Sequence, residues 1–389
     1  MPEPLFTRRF FGLWFFAFIT FFAAFQLLPA VPFRIIHLGG SKAQAGWFLS
    51  VYAFASAFSA PLMGNLADHI GRKRMLMTAS LLFVLFSLLY GVITLVPLLL
   101  AIAIVHGSLW SGLIASSSAI MSEFIPESRR NEGLAYWGLS STAAIALAPA
   151  AGLIIFERGG WMMLCGELAF LSALTFAWAS RLPVIHERIE SSHSFREAWD
   201  LQVIRPSLSL SVICFGYGGV TSYVAILSRE RGIRPESLFF TVFALSIVLV
   251  RVFTSRLGDR LGPRAMLYPA YAAIPISFAL LSIATTHWQL VASAVLFGFG
   301  MGAAYPAFAN FLLMNTDPKR RARTFGSIVM AFDTGIAIGS LGIGALAQRF
   351  SLGTAFAVAA ALSCLAIPIF MAATRQFNGT TVAAPAEHG

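Results

Sequence analysis

The chain has 389 residues, 58% of them apolar and only 11% charged, against roughly 25% charged in an average soluble domain. Its 27 bases and 17 acids leave a net charge of +10 but cannot clothe a polar surface. Soluble enzyme, secreted module and disordered chain are thereby excluded, and a mean hydropathy of +0.77 points to a chain threaded repeatedly through a membrane.

About 20 apolar residues carry a helix across hydrocarbon. Twelve such runs predict an all-α membrane protein with helices near 10–31, 45–66, 75–94, 97–121, 132–155, 161–180, 207–228, 237–257, 265–285, 288–313, 324–347 and 352–374. The first run is too long for a signal-peptide core and no small-residue cleavage site follows it, so it is read as a retained span. Pro29, Pro149 and Pro306 fall inside runs, where neighbouring helices re-satisfy the backbone. Placing the amino terminus inside puts 19 Lys and Arg in inner segments and 7 in outer ones. That bias sets both termini in the cytoplasm of a multi-pass inner-membrane protein. It also explains the basic balance without nucleic acid, since no basic stripe interleaved with aromatics lies outside the spans. Residues 1–180 and 206–374 form two six-helix bundles, 181–205 a charged cytoplasmic linker and 375–389 a disordered tail. Cys165, Cys214 and Cys364 lie within apolar runs and offer neither a disulfide framework nor a metal spacing. No cofactor or metal is expected.

An offset of 191 aligns the two halves. Val51-Tyr52-Ala53 falls on Val242-Phe243-Ala244, Asp68 and Gly71 on Asp259 and Gly262, Gly107 on Gly298, and Arg129-Arg130 on Arg320-Arg321. One offset held through several spans and loops argues for a duplicated six-helix unit, with a substrate site at the midplane between halves.

Between spans two and three stands Gly64-Asn65-Leu66-Ala67-Asp68-His69-Ile70-Gly71-Arg72-Lys73-Arg74. It resembles the signature loop of the major facilitator superfamily. Leu257-Gly258-Asp259-Arg260-Leu261-Gly262-Pro263-Arg264 is a weaker echo, with Pro263 where the first base would stand. Physically, Asp68 suits the positive end of a neighbouring helix, and Arg72 suits a carboxylate across the bundle interface. The resemblance implies a conformational latch of Gly64, Asp68, Gly71, Arg72, Glu123 and Asp259, with Glu123 as the acid that ends span four. In span five, Ala148-Pro149-Ala150-Ala151-Gly152 resembles the antiporter motif of the drug–proton exporter branch, Ala148 replacing its first Gly. Ala144, Ala148 and Gly152 recur every four residues, which allows close helix approach. With Pro149 they are read as a gating seam between bundles. Further stretches, His106 to Gly112, Phe239 to Ala244 and Ala331 to Gly335, resemble sugar-efflux-like and metallophore-exporter-like members. Ala103 stands where many proton-coupled members carry an Arg in span four.

A charge at mid-bilayer costs about 2.5–3.5 kcal/mol, so intramembrane ionisable residues mark candidate function. Asp333 lies near the middle of span eleven, where low dielectric favours the neutral acid and suits a group that takes and releases a proton. The alternative is an Asp that packs helices together. His106, on one face of span four with Ala103 and Trp110, is a second proton-coupling candidate or a substrate contact; a buried structural His competes. Glu167 in span six and Arg251 in span eight are weaker candidates. Spans one, four, seven and ten line the central pathway in the family, so the resemblance makes Gln26, His106, Trp110, Tyr217, Tyr305 and Asn310 a substrate-binding set. The 36 Phe are read mainly as lipid-facing and packing residues, and the 12 Met form no ligand array.

The reading is a monomeric secondary transporter that exports a small organic molecule in exchange for protons by rocking between inward- and outward-facing states. Uptake of a sugar, metabolite or metal chelate by symport or facilitation is the rival, followed by a transport-dead sensor. The chain shows no catalytic Ser/His/Asp set, nucleotide loop or metal cluster to suggest an enzyme.

Overall fold

The computed structural model describes residues 5–126, 129–182, 201–316 and 321–374. The expected linker falls largely on 183–200 and the tail on 375–389, both outside the described residues. Apolar runs flanked by caps or turns fold as helices in chain order: α1 (Arg8–His37), α2 (Lys42–Ile70), α3 (Arg72–Val92), α4 (Val96–Phe124), α5 (Arg130–Arg181), α6 (Leu201–Glu230), α7 (Leu238–Leu261), α8 (Pro263–Ile283), α9 (His287–Met314), α10 (Arg321–Arg349), α11 (Leu352–Ser363) and α12 (Ala366–Thr374). Among the described residues, ten helical segments are long and apolar enough to cross a membrane. One of them, α5, is two limbs meeting at Gly160, whose φ of 74° breaks the helix. A shorter apolar stretch, Leu238–Val250, belongs to α7, and Leu352–Thr374 joins α11 and α12 into one crossing. Counted so, the twelve expected spans are present. Spans five and six are the limbs of α5, and spans seven to eleven are α6 to α10.

Side-chain caps mark several starts. Ser41 and Gln44 form a reciprocal capping box at α2, and Thr286 and Gln289 do the same at α9.

The offset of 191 is visible in three dimensions. Gly71 between α2 and α3 has φ 96°, and its counterpart Gly262 before α8 has φ 80°. A Cβ on Gly107 would strike the backbone of Tyr52, with the Tyr52 carbonyl carbon at 2.9 Å; a Cβ on Gly298 would come within 3.0 Å of the Phe243 carbonyl oxygen. Residues 52 and 107 thus meet as 243 and 298 do, so α2 crosses α4 as α7 crosses α9. Gly64 differs from Gly71: a Cβ there meets nothing within 4 Å, and its φ is not positive.

Helix α6 is the most enclosed crossing, with 83% of its most apolar window buried against 33% for α11–α12. It stands at the centre while large side chains such as Leu62, Leu88, Phe170 and Ile276 point outward, as a lipid-facing surface requires.

Candidate functional site

The two bundles are fastened at the end opposite the Gly64–Arg74 loop. Lys42 Nζ lies 2.5 Å from Glu230 Oε1. The Tyr223 hydroxyl donates to the Lys42 carbonyl at 2.7 Å, and the Lys42 amide donates to Gln348 Oε1 at 3.1 Å. Deeper, the Ser340 hydroxyl donates to the Gly46 carbonyl at 2.9 Å and the Ser50 hydroxyl to the Ala337 carbonyl at 2.7 Å. Backbones come this close because α2 carries Gly46 and α10 carries Gly344 at the crossing; a Cβ on Gly46 would lie 3.0 Å from the Ser340 carbonyl carbon. Arg229 stacks on Phe33 at 4.1 Å and donates to Glu236 Oε1 at 2.9 Å, while the Ser237 amide donates to Glu157 Oε1 at 3.1 Å. Glu157 is in the last turn of the first limb of α5 and also hydrogen-bonds the Glu236 carboxyl. Burial, then the neighbouring Glu236, raises Glu157 above the usual carboxyl range. Burial also pushes Glu236 upward, but its bonds to Arg229 and nearby backbone outweigh this and hold it below that range.

Beneath this closed end lies a central cavity of about 60 Å³, formed by both halves. Phe25, Tyr52 and Trp110 come from α1, α2 and α4; Tyr217 comes from α6, and Phe332 and Asp333 from α10. Asp333 is the one charged side chain in this described lining. The Tyr52 hydroxyl is buried without a hydrogen-bond partner. Tyr217 packs against Phe332 at 5.9 Å and Trp110 against Phe21 at 4.9 Å, which fixes both rings at the wall. A drug-sized ligand needs roughly 300–1,000 Å³, so the space of about 60 Å³ here holds small solutes only.

The structure brings together three of the residues singled out from sequence, Asp333, Trp110 and Tyr217. It separates the others. His106 is buried inside the amino-terminal bundle, 3.3 Å from the Tyr90 hydroxyl through Nδ1 and enclosed by Phe83 and Phe86. Tyr52 packs edge-on against it at 5.1 Å and stands between it and the central cavity. His106 lines instead a cavity of about 20 Å³ with Thr20, Ser87 and Ser172. Gln26 is fully buried and donates through Nε2 to Glu167 Oε1 at 3.1 Å, turning away from the cavity that its neighbour Phe25 lines. Tyr305 packs on Phe332 at 5.2 Å, behind the wall, and Asn310 is exposed on α9. Tyr52 was missed from sequence, although the repeat that pairs Val51-Tyr52-Ala53 with Val242-Phe243-Ala244 marks its position.

At the loop end, Arg72 Nη1 reaches Glu123 Oε1 at 2.6 Å and Arg72 Nε lies 3.5 Å from Asp68 Oδ1. These residues belong to α2, α3 and α4, so the triad ties one bundle together rather than bridging two. The reason is local: Gly71 turns the chain back, and Arg72 then faces the end of α4. The Asp259 side chain and the start of α10 lie outside the described side chains. Of the small-residue stripe, Gly152 faces its own bundle. Ala144, Ala148 and Pro149 are buried, and a Cβ on Gly152 would come within 2.6 Å of the Gln26 carbonyl oxygen, so Gly152 lets the first limb of α5 pack on α1 of the same bundle.

The profile of the Major Facilitator Superfamily matches residues 13–274 and 207–386. The chain belongs to the Major Facilitator Superfamily. This superfamily member is 26% identical over 377 residues to the multi-drug resistance efflux pump PmrA of Streptococcus pneumoniae serotype 4, covering 90% of this chain and 93% of that one. It is 26% identical over 368 residues to the multidrug resistance protein MdtG of Salmonella paratyphi B, covering 89% and 90%. The solved nucleoside transporter NupG superposes with a TM-score of 0.75 at 15% identity, over 95% of this chain and all of that one. A bacterial homologue of the lysosomal transporter Spinster, in an inward-facing occupied conformation, also gives 0.75, at 14% identity over 97% and 99%. These two likenesses show the fold of this transporter family.

Proposed function

We propose that this transporter exports small apolar organic molecules, lipophilic cations foremost, in exchange for protons, working as a monomer with both termini in the cytoplasm. The observation that carries the reading is the central cavity: aromatic faces from both halves surround a single carboxyl, Asp333. Aromatic faces attract cations, and a carboxylate in a low-dielectric wall is neutralised by either a proton or a cation, but gains little from both at once. Competition for Asp333 is therefore a physical basis for exchange. The likeness to two multidrug proteins supports the same direction of transport. The fastened end opposite the signature loop is the outer end in this orientation, so substrate enters from the cytoplasmic side and leaves when the Lys42–Glu230 and Glu157–Glu236 contacts part.

The test uses inside-out vesicles, a fluorescent lipophilic cation and an imposed pH gradient. Wild-type protein accumulates the dye and stops when the gradient is dissipated. Asp333→Asn loses gradient-driven accumulation. Undiminished accumulation by that variant removes Asp333 from the coupling role, and accumulation that ignores the gradient overturns proton exchange.

A further inference from the structure

We propose that Glu167 and Gln26 form a proton-binding site within the amino-terminal bundle, separate from Asp333, in which a neutral Glu167 acid and the Gln26 amide hold each other by two reciprocal hydrogen bonds. One of those bonds is present, Gln26 Nε2 to Glu167 Oε1 at 3.1 Å. The two remaining polar atoms of the pair, Gln26 Oε1 and Glu167 Oε2, are both buried and both without a partner. Each is an acceptor when Glu167 is ionised, and two orphaned acceptors inside a bundle are costly. A single proton on Oε2 turns that atom into a donor toward Oε1 and satisfies both. The uptake is balanced simply: a carboxylate gains one proton to become the acid, and loses it in the reverse step.

Among the described residues Glu167 makes no ion pair. Arg34 on α1 is bound to the Ile93 carbonyl at 3.2 Å, Tyr90 on α3 reaches His106 of α4, and Cys165 on the same limb of α5 is a buried thiol. The first limb of α5 presents Gly152 to the Gln26 backbone. Loss of the proton therefore sets two acceptors against each other directly behind the α1–α5 contact, and the state of Glu167 is felt at the antiporter-like stretch.

The experiment is infrared spectroscopy of the purified full chain in lipid, with glutamate carrying a carbon-13 carboxyl so that Asp333 is silent. The expected result at neutral pH is an isotope-shifted carboxylic-acid carbonyl band that is lost in Glu167→Gln and moves to higher frequency in Gln26→Leu, where its hydrogen bonds are gone. Absence of any such band in the labelled wild-type chain overturns the proposal without need of a variant, as does a band that Glu167→Gln leaves unchanged. The readout is independent of transport, so failure of proton exchange and failure of this site are told apart.

Discussion

Substituting Gly46 by Ala tests whether the fastened end is a gate. A Cβ at this position would collide with the Ser340 carbonyl oxygen and the Tyr223 hydroxyl, so α2 and α10 must separate to admit it. Separation breaks the Ser340–Gly46 and Ser50–Ala337 hydrogen bonds, worth about 0.5–1.5 kcal/mol each, and the overpacking itself costs about 1–3 kcal/mol in the closed state. The low end of that range is about 2 kcal/mol, or roughly a thirtyfold shift toward the open arrangement. Spin labels placed at His37 and Ser351, both exposed and on opposite halves at this end, in a background with the three cysteines replaced, report the separation directly. The expected outcome is a distance distribution moved to longer values in Gly46→Ala. An unchanged distribution in a folded variant refutes the reasoning, because the collision then has another outlet than parting the bundles.

The same labels read the pH response of this end. Glu157 is raised by burial and by Glu236, so closing takes up a proton when the open form has an ordinary carboxyl. Closure is fully favoured below about pH 4.5 and weakens as pH rises through the elevated value, because the closed state binds more protons in that window; Glu157→Gln should flatten that slope. Glu236, held low, contributes oppositely: its support for the closed end is present above the ordinary carboxyl range and is lost as pH falls through its depressed value. At the loop end, a double-mutant cycle on Arg72→Ala and Glu123→Gln should give a coupling of about 1 kcal/mol in thermal unfolding, since the pair is partly exposed; a coupling of zero denies the ion pair any part in holding α3 to α4. The two motif glycines should behave differently. Gly71→Ala, at φ 96°, should destabilise by about 1–2 kcal/mol, whereas Gly64→Ala, in mid-helix with open space around it, should raise stability by about 0.5–1 kcal/mol. Thermal unfolding of both variants checks this, and equal effects would contradict it.

The span count, the duplicated halves and the Asp68–Arg72 loop were legible in the sequence, and Glu123 as the partner of Arg72 came from the resemblance of that loop to the family signature. The first three rest on local chemistry: a run of apolar residues long enough for hydrocarbon, a glycine at a positive φ, an arginine one turn from an aspartate. The pairing of Gly107 with Tyr52 and of Gly298 with Phe243 shows the same offset at work in packing. Only the tertiary structure decided which faces of the helices look into the central cavity. It turned Gln26 toward Glu167 and enclosed His106 with Tyr90, while Tyr52 and Phe25 came to the wall. It also set Gly152 of α5 against α1 and kept the Arg72 triad within one bundle. The physical reason is the solvent. In water an apolar stripe marks the buried face of a helix, but lipid is as apolar as the protein core, so inward and outward faces of a membrane helix read alike until neighbouring helices are in place.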